Sequence, residues 1–347
     1  MIAQQIARIL ILAIISFSIS FLLVPLLLRL LDKVQARKQI RANDAAPIFS
    51  ELHKKKAGTP TMGGIIIWVV VLILAALFSI GDQWFDSTFH FLNFIDRSQT
   101  YLPLAALAIS AFFGLIDDVL GILKIGPKGG GLSISQKIVM YFFVALLGAL
   151  WFYYKLGFDV LNIPFIGQVF VDGWYIPIFI FILVASAFSL NETDGLDGLA
   201  GGVSLFAFLA LTGVAFILGK YHLAAFGSVV IGALLTFLWY NIYPARFFMG
   251  DTGSMSLGIT LGIFAMLTKT ELLLPFFMFI PVVESVSVIV QMISKKFRKK
   301  KVFLSTPIHH HFEALGWPET KITMRFWILS SVFSVLGVVL FFLSRYF

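Results

Sequence analysis

An all-α integral membrane protein of about ten transmembrane helices, folded as one polytopic domain over residues 1–347, is the fold class the sequence predicts. Three observations carry the prediction. Of the 347 residues 59% are hydrophobic and 13% charged, against about 25% charged in a soluble domain. Mean hydropathy is +0.95. Apolar runs of about 20 residues, the length a helix needs to cross hydrocarbon, recur along the chain between short polar breaks. Inside lipid the backbone has no water to bond, so each run must satisfy its own N–H and C=O groups as a helix.

Taken in order, the runs lie near Ile6 to Leu31, Met62 to Ile80, Tyr101 to Leu120, Ser135 to Tyr154, Trp174 to Leu190, Leu199 to Leu218, Leu223 to Tyr243, Ser254 to Leu267, Leu272 to Ile293 and Thr323 to Leu343. The first is too long for a signal-peptide core and lacks a small-residue cleavage pattern after it, so it is expected to stay as a helix, bent near Pro25. The eighth is the shortest. Between the fourth and fifth, β-prone residues flank Gly167 in Phe158 to Gly173, which predicts a short hairpin.

Ten spans give nine loops, and their charges are segregated. The odd loops hold Lys33, Arg37, Lys38, Arg41 and Lys54 to Lys56, then Lys295, Lys296, Arg298 to Lys301 and Lys321. The even loops carry Arg97, Lys155, Lys220 and Lys269. The positive-inside rule therefore makes the odd loops cytoplasmic, both termini and the hairpin periplasmic, and the net charge of +8 a matter of topology and anionic membrane lipid, with no nucleic acid. No cysteine is present, so a metal would need oxygen or imidazole ligands.

Every chemically suspicious cluster falls in an odd loop or at its edge, which points to one active site on the cytoplasmic face. Asp117-Asp118 closes an apolar run, and adjacent helical side chains point about 100° apart, so the two carboxylates are expected to hold different jobs. A helix terminus reaching water explains the pair about as well. Asn191 to Gly202 sets Asp194 and Asp197 three residues apart among glycines, which suits backbone approach to a ligand. It is not an EF-hand, because Gly202 stands where the twelfth ligand would be. A plain Gly-rich turn is the competing reading. In Phe248-Met249-Gly250-Asp251 a carboxylate sits at a membrane boundary, where it requires a partner. Carboxylate, water and phosphate oxygens are the ligands Mg2+ prefers, an ion suited to a pyrophosphate substrate. His309-His310-His311 lacks zinc-site spacing and reads either as a phosphate or proton site or as a solvated loop. Glu284 is expected to face the bundle interior.

Together, Lys56 to Gly64, Asp117-Asp118, Asn191 to Ala200, Phe248 to Asp251, and Pro307 to Glu313 with Gly316-Trp317 resemble, in order, the motifs of the phospho-N-acetylmuramoyl-pentapeptide transferases. These belong to the bacterial polyprenyl-phosphate sugar-1-phosphate transferases, and the resemblance runs from about Lys56 to Phe326. It implies an inner-membrane enzyme with both termini periplasmic, in which undecaprenyl phosphate attacks UDP-MurNAc-pentapeptide to give lipid I and UMP. It implies Asp251 as the Mg2+ ligand and a catalytic set of Asp117, Asp118, Asp251, His309, His310 and His311. It further implies nucleotide-sugar contacts from Lys56, Thr61, Asn191, Asp197, Asn241, Phe248 and Gln291, with Phe248 stacking on uracil, and a homodimer as a candidate assembly. The chain departs from the pattern at Gly121, where a lysine is common and where Lys124 and Lys128 are the nearest cations, and at Glu192, where an apolar residue is usual. The rival readings are a UDP-N-acetylglucosamine-1-phosphate transferase on the same lipid and a transporter for an anionic solute.

Overall fold

The computed structural model describes residues 2–37, 58–84, 88–127 and 130–346. Ten long helices run through them, as predicted: α1 (Ile2–Lys33), α2 (Ile65–Trp84), α4 (Tyr101–Ile122), α5 (Ile134–Leu156), α6 (Tyr175–Thr193), α7 (Leu199–Ile217), α8 (Tyr221–Asn241), α9 (Gly250–Thr268), α11 (Phe279–Phe297) and α13 (Glu319–Tyr346). Three short helices join them: α3 (Thr88–Leu92), α10 (Leu274–Phe277) and α12 (Ile308–Ala314). α1 continues as helix past Pro25.

Eight of the long helices are long and apolar enough to cross a membrane on their own, and a ninth span is formed if α10 and α11 are taken together across an 89° bend. Met278, at φ −108° and ψ 36°, breaks the helix there. Pro281, three residues on, has no N–H to donate back across the break to the Phe277 carbonyl.

α9 is the exception to the apolar pattern, and its surroundings give the reason. From Thr252 to Thr268 every residue is buried within the protein, so the helix has no lipid-facing side to fill with large apolar groups. Glycine, serine and threonine are interspersed there among the apolar residues and let backbones approach closely. A Cβ on Gly114 of α4 would come within 2.3 Å of the Asp251 carbonyl oxygen, and one on Gly258 within 2.7 Å of the Ala187 Cα of α6. The predicted start at Ser254 is therefore too late. The helix already begins at Gly250, which puts Asp251 in its first turn.

The predicted hairpin is present: β1 (Val160–Ile163) pairs antiparallel with β2 (Gly167–Phe170), in the register Val160 to Phe170 and Ile163 to Gly167. Its Asn162 N–H donates to the buried Glu271 carboxylate at 3.0 Å, tying the hairpin to the segment between α9 and α10.

α5 starts with a reciprocal capping box: Ser133 accepts from the Gln136 backbone N–H, and the Gln136 side chain accepts from the Ser133 N–H. Such a cap fixes where the first turn begins and hence which residues face inward. Lys137, in the turn that follows, is turned toward α4 and α9.

Candidate active site

The site is assembled around the N-terminus of α9. An α-helix leaves its first N–H groups without intrahelical partners, and here carboxylates from two other helices take them. Asp118 of α4 accepts from the N–H of Asp251 at 3.1 Å and of Thr252 at 3.0 Å. Asp194, just beyond α6, accepts from the N–H of Gly250 at 3.1 Å. Gly250 has φ +74°, and a Cβ there would lie 2.6 Å from Asp118 Oδ2, so only glycine permits this cap. The segment before α2 joins the same point, since Gly63 and Gly64 donate to the Phe248 and Met249 carbonyls and Phe248 donates to that of Pro60.

Adjacent in sequence, Asp117 and Asp118 diverge in space. Whereas Asp118 caps α9, Asp117 is 2.9 Å from the Lys137 ammonium and accepts from the Leu132 N–H. Lys137 also contacts Asp251 Oδ2, so one ammonium bridges the carboxylates of α4 and α9. Asn191 of α6 completes this centre, donating from Nδ2 to Asp251 Oδ1 and to Ser254 Oγ, both at 2.9 Å. All four side chains are at least partly buried, which strengthens their electrostatics relative to a solvated cluster.

Lys137 is the functional candidate that sequence reasoning missed. The cations nearest Asp117-Asp118 in sequence are Lys124 and Lys128, beyond Gly121. Lys124 is exposed, and Lys128 lies outside the described residues. The available signal was a lone lysine near the start of an otherwise apolar span, because intramembrane charges face protein rather than lipid. Tyr141, four residues on and so on the same face of α5, is also buried.

The remaining candidates fall into two groups. Thr61, Asn191 and Phe248 lie on the elements that meet at the start of α9, Phe248 being half-buried. Asp197, Asn241 and Gln291 bond to backbone. Asp197 accepts from the Ala245 N–H at 3.0 Å. Asn241 spans from the Gly198 N–H to the Phe247 carbonyl at 3.0 and 2.8 Å. The Gln291 amide bonds the Phe303 carbonyl and the N–H groups of Val302 and Phe303 at 2.9 to 3.1 Å. Lys56 lies outside the described residues.

The loop Asp194 to Gly198 is clasped from the C-terminal helix, a contact no motif suggested. Glu319, Thr323 and Trp327, spaced by four along one face of α13, bond respectively the Asp197 N–H at 2.6 Å, the Asp197 carbonyl at 3.2 Å and the Gly198 carbonyl at 3.1 Å.

The three histidines have separate partners. His310 pairs with Glu313 at 2.6 Å, and His311 Nδ1 accepts from the Leu304 N–H at 3.2 Å. His309 is fully buried, with Nδ1 3.0 Å from the Glu284 carboxylate of α11. Burial alone would depress a histidine, but Glu284, together with Glu313 and Glu192, more than offsets it, and the His309 pKa is raised above the ordinary value.

Two carboxylates converging on one point, Asp117 and Asp251, are a donor set that fits a hard divalent cation such as Mg2+, which takes few protein ligands and fills its shell with water and phosphate oxygen. Among the described residues no group of three or more His, Cys, Asp or Glu forms a full cage.

Comparison with known proteins agrees with this picture. Residues 100–269 match the model of glycosyl transferase family 4, and residues 56–67 match signature 1 of the phospho-N-acetylmuramoyl-pentapeptide-transferases. The chain is 37% identical to a phospho-N-acetylmuramoyl-pentapeptide-transferase of Clostridium novyi, covering 93% of this chain and 94% of the relative. It is 36% identical to one of Geobacillus thermodenitrificans, covering 93% and 95%, and 35% identical to one of Chloroflexus aurantiacus, covering 96% and 90%.

Proposed function

The chain belongs to the phospho-N-acetylmuramoyl-pentapeptide-transferase family, and from that premise we propose that it transfers phospho-MurNAc-pentapeptide from UDP-MurNAc-pentapeptide to undecaprenyl phosphate, giving lipid I and UMP. The observation that carries the reading is the meeting of Asp117, Lys137, Asn191 and Asp251 at the start of α9, next to the segment that matches the family signature.

In this reaction an oxygen of the lipid phosphate attacks the β-phosphorus of the nucleotide-sugar. A new P–O bond forms there while the bond to the bridging oxygen breaks, and that oxygen leaves with UMP. Phosphoryl transfer of this kind needs alignment and charge neutralisation more than covalent help from the protein. The lipid phosphate is already an anion, so we favour direct attack over an aspartyl-phosphate intermediate. Asp117 then places the incoming lipid phosphate or takes its residual proton. Lys137 supplies fixed positive charge beside the transferred phosphate. The N–H groups of Gly250, Asp251 and Thr252 are held by Asp194 and Asp118, so the helix terminus donates little to a phosphate itself. Charge neutralisation falls to Lys137 and to the cation.

We assign that cation as Mg2+, held by Asp251 with Asp117 beside it; when bound it neutralises the pyrophosphate oxygens and stabilises the departing UMP. Thr61, Asn191, Phe248 and the Asp194 to Gly198 loop surround the nucleotide-sugar, with Phe248 as the stacking surface for uracil, and we assign Lys56 as a further contact to it. We place the enzyme in the bacterial inner membrane, with both termini periplasmic and this site cytoplasmic, the orientation that the segregated loop charges support.

The test is UMP release by the purified protein with UDP-MurNAc-pentapeptide and undecaprenyl phosphate, dependent on Mg2+ and lost in Asp251→Ala. Turnover of UDP-N-acetylglucosamine with the pentapeptide substrate inert would overturn the substrate assignment, and ion-driven solute uptake without UMP release would overturn the enzyme. Trapping phosphate on an aspartate in the absence of lipid acceptor would overturn direct attack.

A further inference from the structure

Glu284 lies in α11 with no exposed surface, and the reaction as described gives it no role. A carboxylate buried in a membrane bundle is costly and needs a reason to stay. One of its oxygens, Oε2, lies 3.0 Å from His309 Nδ1 and also accepts the His309 backbone N–H in a long hydrogen bond of 3.4 Å. A single oxygen thus faces the ring as a charge partner and accepts the backbone N–H of the same residue. With Nδ1 facing the carboxylate, Nε2 is the nitrogen turned away from it.

The far side of the ring meets the site's central loop. A Cβ on Gly195 would fall 2.2 Å from His309 Nε2 and 2.7 Å from Cε1, so the imidazole occupies the space where any other side chain at 195 would sit. Gly195 follows Asp194, which caps α9, and precedes Asp197, which bonds Ala245. α13 clasps the same loop at Asp197 and Gly198 through Glu319, Thr323 and Trp327. His309 is the only one of the three histidines with no exposed surface. This is the placement of a prop for the loop.

We propose that Glu284 is a positioning residue: it locks the His309 ring against Gly195, and through that contact fixes the Asp194 to Gly198 loop in the conformation that receives the nucleotide-sugar. The proposal rests on the substrate reading above, but the order of the loop can be measured without any substrate.

The experiment uses the full-length protein in detergent and the variants Glu284→Gln, His309→Gln and their double. UMP release is measured against UDP-MurNAc-pentapeptide concentration, and hydrogen exchange is followed over residues 191–202. Glu284→Gln should raise KM for the nucleotide-sugar tenfold or more with kcat changed less than threefold, and should speed exchange in that segment. The double variant should be no worse than His309→Gln alone, because both changes remove one support. Gly195→Ala, which displaces the ring from the other side with Glu284 intact, should give the same KM and exchange pattern and guards against a Glu284 variant that fails to fold. Additive losses in the double variant, or unchanged exchange in Glu284→Gln, would overturn the proposal. If the wild-type protein leaves UDP-MurNAc-pentapeptide untouched, the substrate assignment fails, and the exchange data alone decide the role of Glu284.

Discussion

Replacing Lys137 with methionine keeps the length of the side chain and removes its charge, leaving Asp117 and Asp251 facing each other without the ammonium that bridges them. The magnitude can be worked from the geometry. Two unit charges 2.9 Å apart, as Lys137 and Asp117 are, attract by about 6 kcal/mol at an effective dielectric of about 20. The side chains are 19% and 8% exposed, so desolvation opposes part of this. Breaking such a pair by removing one partner costs about 3–5 kcal/mol. If the charge is needed in the transition state, that loss corresponds to a drop in kcat of about 10²- to 10⁴-fold. Lys137→Arg, which keeps the charge in a different geometry, should lose about tenfold or less. The assay is UMP release at saturating substrates across a Mg2+ titration. The titration adds a second reading, since ammonium and metal compete for the same two carboxylates. Half-saturating Mg2+ should therefore fall in Lys137→Met even as the maximal rate collapses. A methionine variant within about threefold of wild type would refute the assignment of Lys137 as the fixed cation of the site.

Asp118→Asn removes the negative charge and one of the two oxygens that separately meet the Asp251 and Thr252 N–H groups; losing the charged cap should cost about 1–2 kcal/mol, visible as a lower melting temperature in detergent and a larger shift than Asp117→Asn gives. Gln291→Leu removes three hydrogen bonds to the Val302–Phe303 backbone, and trypsin should then cut faster at Lys299 to Lys301, scored by gel against the wild-type protein. For His309 the folded pKa lies above the ordinary 6.5, so its stabilising contribution is complete below that pH and is lost as pH rises through the raised folded value. Melting temperature measured from pH 6 upward should therefore decline over that window, and the part of the decline absent from His309→Gln is the histidine's own.

How much of the site was legible depended on the kind of contact. Asp117, Asp118, Asn191 and Asp251 are polar residues at the edges of apolar runs, where burial without a partner is expensive, and that cost marks them in the sequence. Lys137 carries the same mark, but it stands on the next helix, and nothing in the spacing from Asp118 connects the two. Glu319, Thr323 and Trp327 left no such trace, since a polar face at the start of a span is ordinary. Their spacing acquires meaning only once the Asp194 to Gly198 loop is known to lie against them.

What the sequence determined by itself is the class of the protein, the number and order of its long helices, the hairpin after α5, and the family. These follow from local length, hydropathy and motif, which the bilayer reads one segment at a time. The start and setting of α9, the opposite tasks of Asp117 and Asp118, the Lys137 bridge and the seat of His309 on Gly195 were decided by the tertiary structure. The physical reason is that a capped helix terminus and a buried charge obtain their partners from other helices, far along the chain, and only packing brings those partners within hydrogen-bonding distance.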